Sequence, residues 1–196
     1  MRRIGGIFGL LLVVLLLGFT DTSSHFNFDK ILSGFNINFT IDDTEIEQDE
    51  AIVVRVIDGD TISVLTAEGD EERVRLLLID TPESVHPTDP IEKFGPESSE
   101  YAKDFFDKGE KVTLEIGEKE RDHYGRLLAY VWKNGINFNK HMIEKGYARI
   151  AYVEEPNTKY IDEFREAEIK AKKEKVNIWS VPGYVTDDEF DMSVVE

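Results

Sequence analysis

Two aspartates at the ends of apolar runs are the side chains best placed to do chemistry: Asp60 in the turn Asp58-Gly59-Asp60, and Asp80 in Asp80-Thr81-Pro82-Glu83. Apolar segments that end in carboxylates present oxygen ligands at the rim of a rigid sheet. Such ligands suit calcium, or magnesium where the geometry is tight and waters complete it. Taken singly, an aspartate in Asp-Gly or before Thr-Pro is a turn residue. The arginines change that reading. Arg75 and Arg126 are the cations a phosphoryl transition state needs, because a planar guanidinium makes two charge-assisted hydrogen bonds to phosphoryl oxygens and stays charged. Glu83, directly after Thr81-Pro82, stands where it could orient or deprotonate a water near a metal. Tyr124 and Tyr152 offer ring faces to a base and hydroxyls to a phosphate.

Other chemistries are excluded by what is missing. His25, His86, His123 and His141 fall in separate segments with no pair at ligand spacing, which argues against zinc and non-haem iron. The chain has no cysteine, so thiolate nucleophiles, thiolate metal sites and disulfides are all ruled out. There is no Gly-x-Ser-x-Gly elbow and no phosphate-binding Gly-x-x-x-x-Gly-Lys loop.

The elements that must position these residues are short strands. Residues 51–57 form a β-branched run that stops at the Asp58-Gly59-Asp60 turn, 61–66 make a second strand, and Glu68-Gly69-Asp70 turns the chain into a third over 72–79. The apolar stretch 76–79 lacks alternation and reads as covered on both faces. A loop over 84–94 precedes a helix that starts at Gly95-Pro96-Glu97 and stops at Gly109. Strands follow at 111–116 and 127–132, joined by a polar connection ending in Asp122-His123-Tyr124-Gly125-Arg126. Asn137 or Asn139 caps a short helix, and 160–173 repeats Ile161, Phe164, Ala167 and Ala171 at helical spacing. Five short strands with interspersed helices predict an α+β domain built on a small closed barrel.

The ends of the chain differ from its middle. Residues 4–19 are uninterrupted apolar sequence behind Arg2 and Arg3, so residues 1–20 are predicted to be an export signal, with a retained N-terminal membrane anchor left open. Residues 21–50 form an acidic and polar spacer, 51–180 the folded domain, and 181–196 an acidic tail expected to run into solvent. The formal charge of −17 is concentrated outside the domain, since residues 51–180 hold 27 acids and 20 bases, a net of −7. Even so, the domain lacks the basic surface of a protein that grips a polyanion across a wide face.

The motifs Ile57-Asp58-Gly59-Asp60-Thr61, Arg75-Leu76-Leu77-Leu78-Ile79-Asp80-Thr81-Pro82-Glu83, Lys93-Phe94-Gly95-Pro96-Glu97, Asp122-His123-Tyr124-Gly125-Arg126 and Asn177-Ile178-Trp179 occur in this order. Together they closely resemble the thermonuclease (staphylococcal nuclease-like) family, with the likeness running from about Ala51 to Ser180. The resemblance implies an OB-fold, a five-stranded barrel with about three helices, and a calcium-dependent endonuclease that hydrolyses DNA and RNA, preferably single-stranded, to 3′-phosphate products. It makes Asp60 and Asp80 the Ca2+ carboxylates and Thr81 a backbone-carbonyl ligand. Arg75 and Arg126 take the phosphate, Glu83 acts as general base or water-orienting group, and Tyr124 and Tyr152 contact the nucleotide. The expected protein is a secreted monomer, or one anchored at the extracellular surface through residues 4–19. The alternative is an OB-fold module that binds nucleic acid or protein without cutting. The sequence also departs from the family pattern: the loop at Thr88 and Asp89 has lost its positive charge, His123 stands for a lysine, and Glu154 for a tyrosine. Full chemistry with weaker substrate capture is the expectation.

Overall fold

The computed structural model describes residues 49–84 and 90–195. The apolar segment at 4–19, the spacer up to residue 48, and the loop positions Thr88 and Asp89 lie outside the described residues. Among those described, no helix is long and apolar enough to cross a membrane.

Strand β1 (Glu50–Asp58) turns into β2 (Thr61–Thr66), and β2 turns into β3 (Glu71–Leu76), all antiparallel. Ala51 faces Thr66 at one end of the first hairpin and Asp58 faces Thr61 at the other. Register shifts at Val53/Arg55 and Val56/Asp58 mark irregularities in β1 of the kind that strengthen twist and help a sheet curl. Val53, Ile62, Val64, Val74 and Leu76 point inward and are essentially inaccessible to water. Each such side chain contributes about 1.5–3 kcal/mol by its burial.

The third strand does not continue through residue 79 as its apolar run predicts. It ends at Leu76, Leu78 takes a left-handed φ of 64°, and Ile79–Asp80 begins a separate strand, β4. A non-glycine residue at such a φ costs on the order of 1 kcal/mol. The site is held by burial of Leu78 and by the Asn139 amide, which donates to the Leu77 and Ala129 carbonyls at 3.0 and 3.1 Å. The absence of alternation therefore reflects packing on all sides of a kink rather than a strand sandwiched between layers. The kink turns Asp80 out at the rim.

Helix α1 (Gly95–Phe105) begins with Pro96 in its first turn, as expected, but stops before Gly109. Strand β5 (Lys111–Arg121) runs beyond its predicted end, and β6 (Leu127–Lys133) pairs with it. Closure comes from two further ladders: β5 pairs with β1, and β6 runs parallel to β3 with Arg75 opposite Leu128. The result is a closed five-stranded OB-fold barrel, with no free edge among those five strands. A short β7 (Ile136–Asn137) folds back and pairs antiparallel with the end of β6, and Asn137 caps α2 (Phe138–Glu144) by accepting from the Lys140 amide. Then β8 (Arg149–Ile150) pairs with β4, Asp80 opposite Arg149, and α3 (Ile161–Glu174) is the third α-helix among the described residues of an α+β fold.

The expectation that the acidic tail runs into solvent is corrected. Tyr184 is fully buried and Phe190 nearly so, in a small cluster with Ile178 that also takes in Phe94 and Trp179. Two aromatic rings in this segment have enough apolar area to hold it down despite its acids.

Candidate active site

The turn between β1 and β2 delivers Asp60 to the rim because Gly59 lets it come close to its neighbours. A Cβ on Gly59 would lie 2.2 Å from Ser98 Oγ and 2.9 Å from Thr81 Oγ1. Asp60 is almost entirely buried, and its Oδ2 accepts from the Thr81 amide and the Thr81 hydroxyl, each at 3.1 Å. The Thr61 hydroxyl donates to Oδ1 at 3.0 Å, and Arg75 Nη1 forms an ion pair with Oδ2. Arg75 reaches Asp80 as well, with Nη2 3.3 Å from Oδ1. One guanidinium thus bridges the two carboxylates. Burial opposes the charge on Arg75, but attraction by Asp60 and then Asp80 outweighs it and lifts its pKa above the ordinary value. For Asp80, burial comes first and repulsion by Asp60 second, and together they push its pKa up against the pull of Arg75 and Arg149.

Asp58 serves the same turn from behind. Its Oδ1 accepts from the Gly59 amide at 2.7 Å and from the Ser84 hydroxyl at 2.6 Å, tying the turn to the residue after Glu83. Burial pushes the Asp58 carboxyl up to about 7, with Ser84 acting against the rise. Glu83 is held by its backbone: its amide donates to Glu92 Oε2 at 2.8 Å, and its carbonyl accepts from the Glu92 amide at 2.9 Å. Gly95 packs against the same stretch, since a Cβ there would lie 2.2 Å from the Glu83 carbonyl oxygen.

Arg126 belongs to a second group. Its Nε donates to Asp122 Oδ2 at 2.6 Å, and its guanidinium carbon lies 5.4 Å from the centre of the Tyr124 ring. Asp122 is held below the usual carboxylate range: burial works upward, but the hydrogen bond from Arg126 leads the opposing contributions. Arg126 and Tyr124 border a cavity of about 380 Å3 shared with Arg73 and Glu72. Arg75 is matched in the same way, lying 5.3 Å from the Tyr152 ring. Tyr124 and Tyr152 are 74% and 65% exposed, so each arginine has an accessible aromatic face beside it. Asp60, Arg75, Asp80 and Thr81 therefore come together directly, Tyr152 joins them through Arg75, and Arg126 with Tyr124 forms the neighbouring group.

Sequence reasoning missed Arg149. It is 5% exposed, and its Nε and Nη2 donate to Asp80 Oδ2 at 3.2 and 3.0 Å. The only local signal was an arginine between apolar neighbours, Ala148 and Ile150.

The donor set fits a hard divalent cation. Asp60 and Asp80 are close enough to repel one another, and the Thr81 amide and hydroxyl fix the Asp60 carboxylate beside them. Among the described residues no group of three His, Asp or Glu side chains is arranged around a cation position, so water would fill the remaining places.

A closed OB-fold barrel with an acid and arginine cluster at its rim defines a class in which strand ends present carboxylates and cations together. Within that class the chain belongs to the staphylococcal nuclease homologue family, whose model matches residues 73–181. It is similar to the SPbeta prophage-derived endonuclease YokF of Bacillus subtilis (strain 168), 48% identical over 143 residues, which cover 72% of this chain and 48% of the relative. Endonuclease YncB of the same strain is 46% identical over 138 residues, covering 70% and 64%. The thermonuclease of Staphylococcus hyicus is 41% identical over 128 residues, covering 65% and 74%. The chain thus spans about half the length of the first of these relatives and under two thirds of the second.

Proposed function

We propose that the chain is a calcium-dependent endonuclease that hydrolyses phosphodiester bonds of DNA and RNA, preferably single-stranded, and leaves 3′-phosphate products. What carries the reading is the bridging of Asp60 and Asp80 by Arg75, a buried cation held between two carboxylates at the barrel rim. The endonuclease and thermonuclease names of the relatives support it. The protein acts as a monomer outside the cytoplasm, exported by residues 4–19 and either released or kept at the outer surface by them.

In this reading Asp60, Asp80 and the Thr81 carbonyl hold calcium, which when bound polarises a phosphoryl oxygen and acidifies a water. Arg75 and Arg126 bind the phosphate oxygens and stabilise the charge that grows on them. Glu83 takes a proton from the attacking water, whose oxygen forms a bond to phosphorus in line with the leaving 5′-oxygen. The P–O5′ bond breaks, the 5′-oxygen departs with a proton from solvent, and the phosphate stays on the 3′-oxygen. Exposed Tyr124 and Tyr152 receive the adjoining nucleotides by stacking.

The direct test is digestion of single-stranded DNA and RNA by the full chain at low salt, with calcium and with a chelator. Cleavage is expected only with calcium, and cleavage that survives chelation would sink the cation's role. Arg126→Ala is expected to lower kcat about 100- to 1,000-fold while binding of nucleic acid persists. A variant that cuts as fast as the parent would remove Arg126 from the reaction, whereas a parent that binds nucleic acid and cuts neither polymer would favour a module that binds without cutting.

A further inference from the structure

Past the end of the family match at residue 181, the chain folds a hairpin that the site does not obviously need. Val185 bridges to Phe190, and the Asp191 amide donates to the Tyr184 carbonyl at 2.7 Å. Both flanking aromatics are buried, their rings 5.4 Å apart. The tip of the hairpin closes on Arg149. Arg149 Nη1 donates to the Asp187 carbonyl at 2.8 Å and Nη2 to the Asp188 carbonyl at 2.6 Å, while the Phe190 ring lies 5.4 Å from the guanidinium carbon. The remaining reach of the same guanidinium is spent on Asp80 Oδ2.

We infer that the hairpin over residues 184–191 is a positioning element of the site: acting through Arg149, it fixes the Asp80 carboxylate and so sets how tightly the site holds its cation. The inference rests on the reading of Asp80 as a cation ligand. A carboxylate that must accept a metal works best when its plane is already set, and groups that hydrogen-bond a ligand from behind do this. The hairpin orients Arg149 with neutral backbone carbonyls, leaving the guanidinium's charge to act on Asp80. A planar fork is needed to meet two carbonyls and a carboxylate at once, which an ammonium cannot reproduce.

A second contact reaches the other side of the Asp80-to-Glu83 segment. The Tyr184 hydroxyl donates to the Lys93 carbonyl, the Lys93 amide lies 3.4 Å from Met192 Sδ, and Phe94 meets Tyr184 edge-on at 5.8 Å. Immediately before Lys93 stands Glu92, whose carboxylate holds the Glu83 amide. The hairpin therefore braces Asp80 through Arg149 and the backbone of Glu83 through residues 92–94.

Two substitutions in the full chain separate orientation from charge, because neither alters net charge: Phe190→Ala loosens the hairpin, and Arg149→Lys removes the fork. Calcium binding is measured by calorimetry without nucleic acid, well below the melting temperature of each protein. Each variant is expected to bind calcium about tenfold more weakly, and to cleave with a lower kcat and a KM changed less than about twofold. A hairpin that serves only stability would lower the melting temperature and leave calcium affinity and kcat unchanged, which overturns the inference. If the parent binds calcium but cuts neither DNA nor RNA, the nuclease reading falls, while weaker binding by the variants still upholds the hairpin's role. A parent that binds no calcium overturns both. Should Phe190→Ala fail to fold, Arg149→Lys decides the matter alone.

Discussion

At one end of the β1–β2 hairpin, Asp60 and Asp80 close around Arg75, with side chains only 10%, 17% and 10% exposed. At the other end, Asp49, Glu50, Glu68, Asp70, Glu72 and Glu120 border an open cavity of about 700 Å3. Both ends are acidic, and both include an arginine. At the open end Arg121 pairs with Glu72 at 2.7 Å, but the two are 45% and 26% exposed. Their effects on acidity run in opposite directions. The hydrogen bond from Arg121 is the leading influence on Glu72 and lowers its pKa. For Asp80, loss of water leads and raises the pKa even though two arginines touch it. At the open end the arginine adds a little to a carboxylate that water already keeps ionised. At the rim the arginines replace the water. Carboxylates in number therefore do not set the two ends apart; the buried cations placed between them at the rim do, and they hold the carboxylates in fixed orientations.

The comparison breaks most readily at Arg75. Arg75→Met leaves two buried, mutually repelling carboxylates, and removing one partner from such a cluster costs about 3–5 kcal/mol. Urea unfolding at neutral pH should show that loss. At the open end, Glu72→Gln removes the partner of Arg121 and should cost less than about 0.5 kcal/mol by the same measurement. Equal losses at the two ends would mean that burial does not set the worth of these ion pairs and that the distinction drawn between the ends is wrong.

The rim was partly legible in the sequence because turns write themselves locally. Asp58-Gly59-Asp60 and Asp80-Thr81-Pro82-Glu83 announce chain reversals at strand ends, and the structure joins them through Arg75 and Thr81. The barrel was legible for the same reason, from short β-branched runs between turn residues. What depended on distant contacts was not. Arg149 meets Asp80 across 69 residues of sequence, and its neighbours look like any buried strand. The left-handed Leu78 has no signature within a run of leucines, because the bonds around it come from afar, Asn139 holding the Leu77 carbonyl and the Ala151 amide that of Leu78. The hairpin after residue 181 was hidden by its acids. Counting charge suggested a solvated tail, whereas Tyr184 and Phe190 decide its fate by burial.

The smallest expected effect belongs to neither end and keeps their comparison clean. His141, on α2, lies with its Nε2 2.8 Å from the Tyr101 hydroxyl and its Nδ1 3.6 Å from Glu144, against the Phe105 ring and near Lys140 and Lys145. Burial first, then the charge of Lys145, depress its pKa below the ordinary 6.5, with Glu144 opposing. The folded chain therefore binds this proton less readily than the unfolded chain does. Stability from this group is intact above about pH 6.5, declines as pH falls and the unfolded state takes up the proton, and levels off once the folded imidazole is protonated too. Asp58 acts with the opposite sign. Its folded pKa of about 7 lies above the ordinary 3.8, so the folded state protonates first and gains stability as pH falls through 7. A single stability curve mixes the two. Urea midpoints for the parent and His141→Leu at about pH 7.5 and about pH 5.5 separate them, since the variant should gain on the parent as pH falls. If both proteins shift equally, the imidazole is not the source, and the pH dependence must be sought among the rim carboxylates.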